Sequence, residues 1–107
     1  MFLVADALTF LNRKRVVDFA EVHRIPAMYE WSFIIQGGGL MSYGASLDDG
    51  FRVAARYLDR IFKGKKPGDL PVEQPARYYL AINLKTAKAL GLTMPQSLLL
   101  RTDDLIE

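Results

Sequence analysis

Leu47, Phe51, Ala54, Leu58, Ile61 and Phe62 recur at three- and four-residue steps, and Asp49, Arg52, Arg56, Asp59 and Arg60 fill positions between them. That spacing predicts a helix with one wide apolar stripe. Its start is marked by Ser46, which forms a near capping box with Asp49, and by Asp48 and Asp49, which suit the dipole of a first turn; Gly64 marks its end. Leaving such a stripe in water costs about 1.5 to 3 kcal/mol for each large apolar side chain. The chain therefore has to present a surface that covers this helix, or find one on another molecule.

Before the helix the periodicity is different. Phe2–Ala5 is a continuous apolar run ending at Asp6, the pattern of a strand buried on both faces. From Thr9, a fitting N-cap, to His23 the spacing is helical, with Leu11, Val16, Phe19 and Ala20 able to share a face. Pro26 then stops any helix, and Ala27–Tyr29 reads as a second strand running into Glu30 and Trp31. Strand, helix, strand is a βαβ unit, whose functional groups gather at the carboxyl ends of its strands, near Asp6 and near Glu30.

A helical turn over Ser32–Gln36, three glycines and a third strand, Leu40–Tyr43, lead into the striped helix. Past it, "KGKKPGDLPVEQP" has the composition of a connector. Ala76–Asn83 is extended, Asn83 can cap a helix over Leu84–Leu90, and Pro95 opens a terminal helix expected to carry Leu98, Leu99 and Leu105. The fold class is α/β, with no internal repeat.

Composition narrows the chemistry. A chain of 107 residues, half of them hydrophobic, has the size of one globular unit. Lysine and arginine total 14 against 12 acids, and Lys63, Lys65 and Lys66 form the one tight basic cluster, which argues against nucleic acid as a partner. With no cysteine and His23 as the single histidine, no metal site, thiol chemistry or cofactor is expected. No apolar run approaches the roughly 20 residues that span a bilayer.

Gly37–Gly39 precede a strand, whereas phosphate cradles place glycines directly before a helix, so a turn with positive φ or a mobile joint is expected. Asp6 suits equally a ligand's amine or hydroxyl and the cap of the next helix. Tyr29, Trp31 and Tyr43 fall near strand ends, where an aromatic can stack on a ligand or pack in the core. Asp48 and Asp49 are explained by the helix dipole without catalysis.

The order of motifs resembles a known family. "HRIPAMYEW", "GGGLMSYGASLDDGFRVAARYLDRIFKGKKPGDLPVEQP" and "YLAINLKTAKALGLTMPQSLL" are similar to the C-terminal part of the substrate-binding proteins of bacterial ABC importers, in the branch associated with aromatic amino acids. The resemblance implies part of a type I periplasmic-binding fold, mainly parallel strands with flanking helices, with the first lobe missing. Residues 1–40 would be the βαβ part of the C-terminal lobe. Residues 41–71 would be a crossing strand and a helix of the other lobe, and residues 72–107 the return strand and terminal helices. Asp6, Tyr29, Glu30, Trp31, Ser42 and Tyr43 would border the ligand cleft, with Gly39 and Gly44 as hinge positions.

The function implied is non-catalytic binding of a small molecule, such as an amino acid, for delivery to an ABC permease, with a periplasmic location. "MFLVADALTFLNRKR" has the reverse order of a secretory signal, so the chain as given is expected in the cytoplasm. Two alternatives stand beside this function: a stand-alone dimerising interaction module, and a flavodoxin-like nucleotide-binding enzyme. Self-association or a domain swap through the Ser46–Lys63 helix is expected wherever its stripe lacks a cover.

Overall fold

Three short runs, Phe2–Leu3 (β1), Met28–Tyr29 (β2) and Met41–Ala45 (β3), lie side by side in parallel in the computed structural model, which describes all 107 residues. Tyr78–Asn83 (β4) pairs antiparallel with β3, and Asp104–Ile106 (β5) pairs parallel with β4, giving one sheet in the order β1-β2-β3-β4-β5. The mostly parallel α/β architecture expected from the sequence is thus present.

The first helical stretch divides in two, Ala7–Leu11 (α1) and Arg13–Val22 (α2). The N-cap is Asp6 and not Thr9: the Asp6 carboxylate accepts the Thr9 N–H at 2.8 Å, and Thr9 Oγ1 accepts the Asp6 N–H at 3.0 Å. This reciprocal box satisfies two end groups at once, so the helix starts earlier than expected. Asn12 breaks it, its side-chain amide donating to the Leu8 carbonyl at 3.0 Å. The break shifts the helical phase. Val17 and Ala20 are the buried residues of α2, while Leu11 and Phe19, assigned to that face by an unbroken period, are exposed.

Residues of α2 and of Phe33–Gln36 (α3) pack on one face of the sheet, where Val17, Ala20, Ile34 and Ile35 meet Tyr29 and Ala81. Strand register places Tyr29, Ser42 and Ala81 in one row across β2, β3 and β4 on that face. The opposite face is less covered: Phe2, Tyr43 and Tyr78 are 62%, 49% and 51% exposed. The expectation that Phe2–Ala5 is buried on both sides therefore fails. β1 is a sheet edge, only Phe2 and Leu3 of it are paired, and Phe2 and Val4 face solvent.

Asn83 caps Leu84–Ala89 (α5) as the sequence suggests, accepting the Thr86 N–H at 3.1 Å. A last helical turn, Gln96–Leu99 (α6), ends before Leu105, which belongs to β5 and not to a terminal helix. The cause is the Asp103 side chain, which takes the Leu80 N–H at 2.8 Å and ties the chain to the edge of β4.

Ser46 runs directly from β3 into Leu47–Phe62 (α4), accepting the Asp49 N–H at 3.3 Å as the expected cap. No residue of α4 is buried. One side leans on the segment after a 3₁₀ turn at Pro67–Asp69: Tyr57 Oη donates to the Pro71 carbonyl and accepts the Glu73 N–H, and Arg56 pairs with Glu73 at 3.1 Å. The apolar stripe is on view, with Phe51 72% and Phe62 85% exposed. The outline follows. The radius of gyration is 17.1 Å, against about 13 Å for a compact domain of this length.

Candidate binding cleft

Because β1, β2 and β3 are parallel, their carboxyl ends fall along one rim, where the chain leaves the sheet at Val4–Asp6, at Glu30–Trp31 and at Ala45–Ser46. The Glu30 carboxylate accepts the Ala5 N–H at 3.2 Å, so the exits of β1 and β2 are tied together. Gly44 lies against the same residue: a Cβ placed there would sit 2.1 Å from the Glu30 carbonyl oxygen, closer than any side chain can come. The rim is held tight at Glu30.

Of the six residues the sequence singled out, Asp6, Glu30 and Trp31 lie along this rim, just beyond the ends of β1 and β2. Asp6 is exposed and serves as the α1 cap. Trp31 packs edge-on to Phe10 at 5.6 Å and beside Phe33 at 5.5 Å, with the Arg13 guanidinium 4.8 Å above the Phe10 ring. The remaining three do not line it. Tyr29 and Ser42 are each 1% exposed, turned to the helix-covered face by their place in the strand alternation, and burial pushes the Tyr29 phenol up from its ordinary value. Tyr43 stands on the other face, its ring stacked on Tyr78 at 5.6 Å.

Neither expected hinge glycine has positive φ. The left-handed turn of the glycine run falls on Gly38, at φ 104°. Gly39 is fixed by close packing, since a Cβ there would be 3.0 Å from both the Ile34 carbonyl and the Tyr29 ring.

Where the chain exits β3 and re-enters β4, a cleft of about 430 Å³ opens between Glu30, Asp49, Arg52, Arg77, Tyr79 and Asp103. Several of its polar groups are already engaged. Tyr79 Oη donates to Asp49 at 3.0 Å, a bond that raises the phenol's pKa, and Arg77 lies 4.7 Å over the Tyr79 ring while pairing with Asp103. The Leu80 N–H, followed by the Arg77 charge, holds the Asp103 carboxyl below the usual carboxylate range. Arg77, Tyr79 and Asp103 were not among the candidates read from the sequence. Arg77 and Asp103 are 26 positions apart, and no local pattern joins them.

This rim offers exposed carboxylate oxygen for a cationic amine and aromatic surface for stacking. No group of three or more His, Cys, Asp or Glu side chains is placed to hold a metal ion. No helix is long and apolar enough to cross a membrane.

Comparison with known proteins points one way. The family described as ABC transporter substrate binding protein matches residues 2–106. A conserved domain protein from Vibrio cholerae O1 biovar El Tor superposes with a TM-score of 0.92 at 24% identity, over 97% of this chain and 35% of that one. An ABC domain from Streptococcus pneumonia, solved in complex with L-Trp, superposes with a TM-score of 0.86 at 27% identity, over 94% of this chain and 35% of that one. A ligand-free, open substrate-binding protein with adhesive properties from Clostridium difficile gives 0.64 at 20% identity, over 99% and 35%. The chain thus spans about a third of the length of the solved proteins it matches. No curated protein matches it significantly.

Proposed function

Because the chain belongs to the ABC transporter substrate-binding protein family, we propose that it is the solute-binding component of an importer, or part of one, and that it acts by binding without catalysis. What supports this reading is that Asp6 follows β1, and Glu30 and Trp31 follow the parallel β2, with the Glu30 carboxylate tying the two strand exits together through the Ala5 N–H. A carboxylate suits the ammonium group of an amino acid, and the Trp31–Phe10 surface suits an aromatic side chain. The L-Trp held by the Streptococcus protein supports that ligand class. The partner is an ABC permease, and the place of action the periplasm.

In this reading residues 1–40 form one side of the cleft, and residues 41–71 reach across to the other lobe through α4. The bends are the passage Gly44–Ser46 outward and Arg77–Tyr79 back. Tyr29 and Ser42 support the rim from beneath. The experiment is a panel of thermal-unfolding scans with aromatic amino acids, aliphatic amino acids and nucleotides. A rise with aromatic amino acids is expected; a rise with nucleotides alone contradicts the reading. A second reading, self-association, is favoured by the exposed α4 stripe and stands independently of any ligand.

A further inference from the structure

Beyond the sheet, α4 and the chain that returns from it hold to each other. Tyr57 Oη donates to the Pro71 carbonyl and accepts the Glu73 N–H at 3.2 Å, and Arg56 pairs with Glu73. They form one arm, joined to the sheet where β3 passes into α4 and where Arg77 leads into β4. Tyr79 bridges this joint. From its place in β4 it donates through Oη to Asp49 in the first turn of α4, 30 positions away, at 3.0 Å. We propose that Tyr79 is a positioning residue that sets the angle of the arm to the sheet through this bond. That the arm belongs to a facing lobe rests on the reading above; the joint is made by contacts within this chain.

Both partners of the bond are held in place by other contacts. On the sheet side, the Arg77 guanidinium lies 4.7 Å over the Tyr79 ring and pairs with Asp103, and Asp103 is itself fixed by the Leu80 N–H at 2.8 Å. Opposite Tyr79 in the ladder stands Gly44, packed against the Glu30 carbonyl. On the arm side, Ser46 Oγ accepts the Asp49 N–H at 3.3 Å, which anchors the acceptor to the helix start. Little side-chain freedom is left to lose, and the acceptor is a carboxylate, which strengthens the bond. Its position gives it leverage. A pivot of about 15° at Ser46 would move Asp49 by about 1 Å, enough to lose the bond, and would carry Phe62, about 24 Å along the helix, by about 6 Å.

The chain has no cysteine, so spin labels at two exposed positions, Phe62→Cys on the arm and Lys85→Cys on α5, report the angle as one distance. Labelled chain is diluted into unlabelled chain, so that only distances within one copy are read. A narrow distribution is expected for the parent. Tyr79→Phe keeps the ring under Arg77 and removes only the donor. With circular dichroism unchanged, it is expected to raise the fraction of displaced conformers about 5-fold, the weight of an exposed hydrogen bond to a charged group. Asp49→Ala is expected to do the same, and the double variant to go no further, since either change breaks the same bond. A parent distribution already broad, a Tyr79→Phe distribution as narrow as the parent's, or a double variant broader than both singles overturns the proposal. Failure of the two-lobe reading would show instead in the ligand scans and would leave these distances as they are.

Discussion

Asp103 and Leu80 hold each other twice: the Asp103 carboxylate accepts the Leu80 N–H at 2.8 Å, and the Leu80 carbonyl accepts the Asp103 N–H at 2.8 Å. This double tie fixes β5 beside β4 and ends the C-terminal helical turn.

The tie carries a pH dependence. The folded carboxyl of Asp103 has its pKa lowered, chiefly by the Leu80 N–H and then by Arg77, so the folded state binds this proton less readily than the unfolded state. Its contribution is present above the unfolded carboxylate value of about 3.9 and is lost as pH falls through the lower, folded value. Asp103→Asn, which keeps an acceptor for Leu80, is expected to flatten the acid limb of the stability curve. Asp103→Ala is expected to lower the unfolding midpoint at neutral pH as well. Urea denaturation between pH 7 and pH 2 checks both.

Two glycines should respond in opposite ways to alanine. At Gly44 the new methyl would lie 2.1 Å from the Glu30 carbonyl oxygen, and forcing β2 and β3 apart is expected to cost at least about 2 to 3 kcal/mol. Gly50, inside α4, has no atom within 4 Å of a Cβ; there alanine should add about 0.5 to 1 kcal/mol through helix propensity. Equilibrium unfolding of the two variants measures the contrast.

Tyr29 and Ser42 separate core from cleft. Tyr29 is 1% exposed in the main cluster, so Tyr29→Ala should cost about 3 to 5 kcal/mol, as large aromatic truncations do. Ser42 Oγ is buried with no hydrogen-bond partner. Ser42→Ala is therefore expected to be neutral or to stabilise by up to about 1 kcal/mol, the relief of an unsatisfied hydroxyl. A large loss of stability at Ser42→Ala in chemical denaturation would contradict this account of the site.

What was legible in the sequence is what local chemistry decides. Ser46, Asp49 and Gly64 mark α4 within its own turns, and Asn83 marks the start of α5. The second task of Asn83 was not legible, because its amide donates to the Ile35 carbonyl, 48 positions away, at 3.0 Å. β5 was hidden for the same reason: three residues carry little periodicity, and only pairing with β4 makes them a strand. In the cleft, Glu30 and Trp31 followed from the end of a strand. Tyr29 and Ser42 were misplaced because one step along a strand turns a side chain to the opposite face. Phe10 went unnoticed because its partner Trp31 belongs to a different element.

The central claim is that the rim of Asp6, Glu30 and Trp31 is one wall of a ligand cleft. Calorimetric titration of the chain with L-Trp, in parallel with Glu30→Gln and Trp31→Ala, tests it most directly. The expected result is weak saturable binding that falls by about 10-fold or more in Glu30→Gln, the weight of a hydrogen bond to a charged group, and falls again in Trp31→Ala with the fold intact. Saturable binding of L-Trp that both substitutions leave unchanged, or binding of a nucleotide in its place, would contradict the assignment.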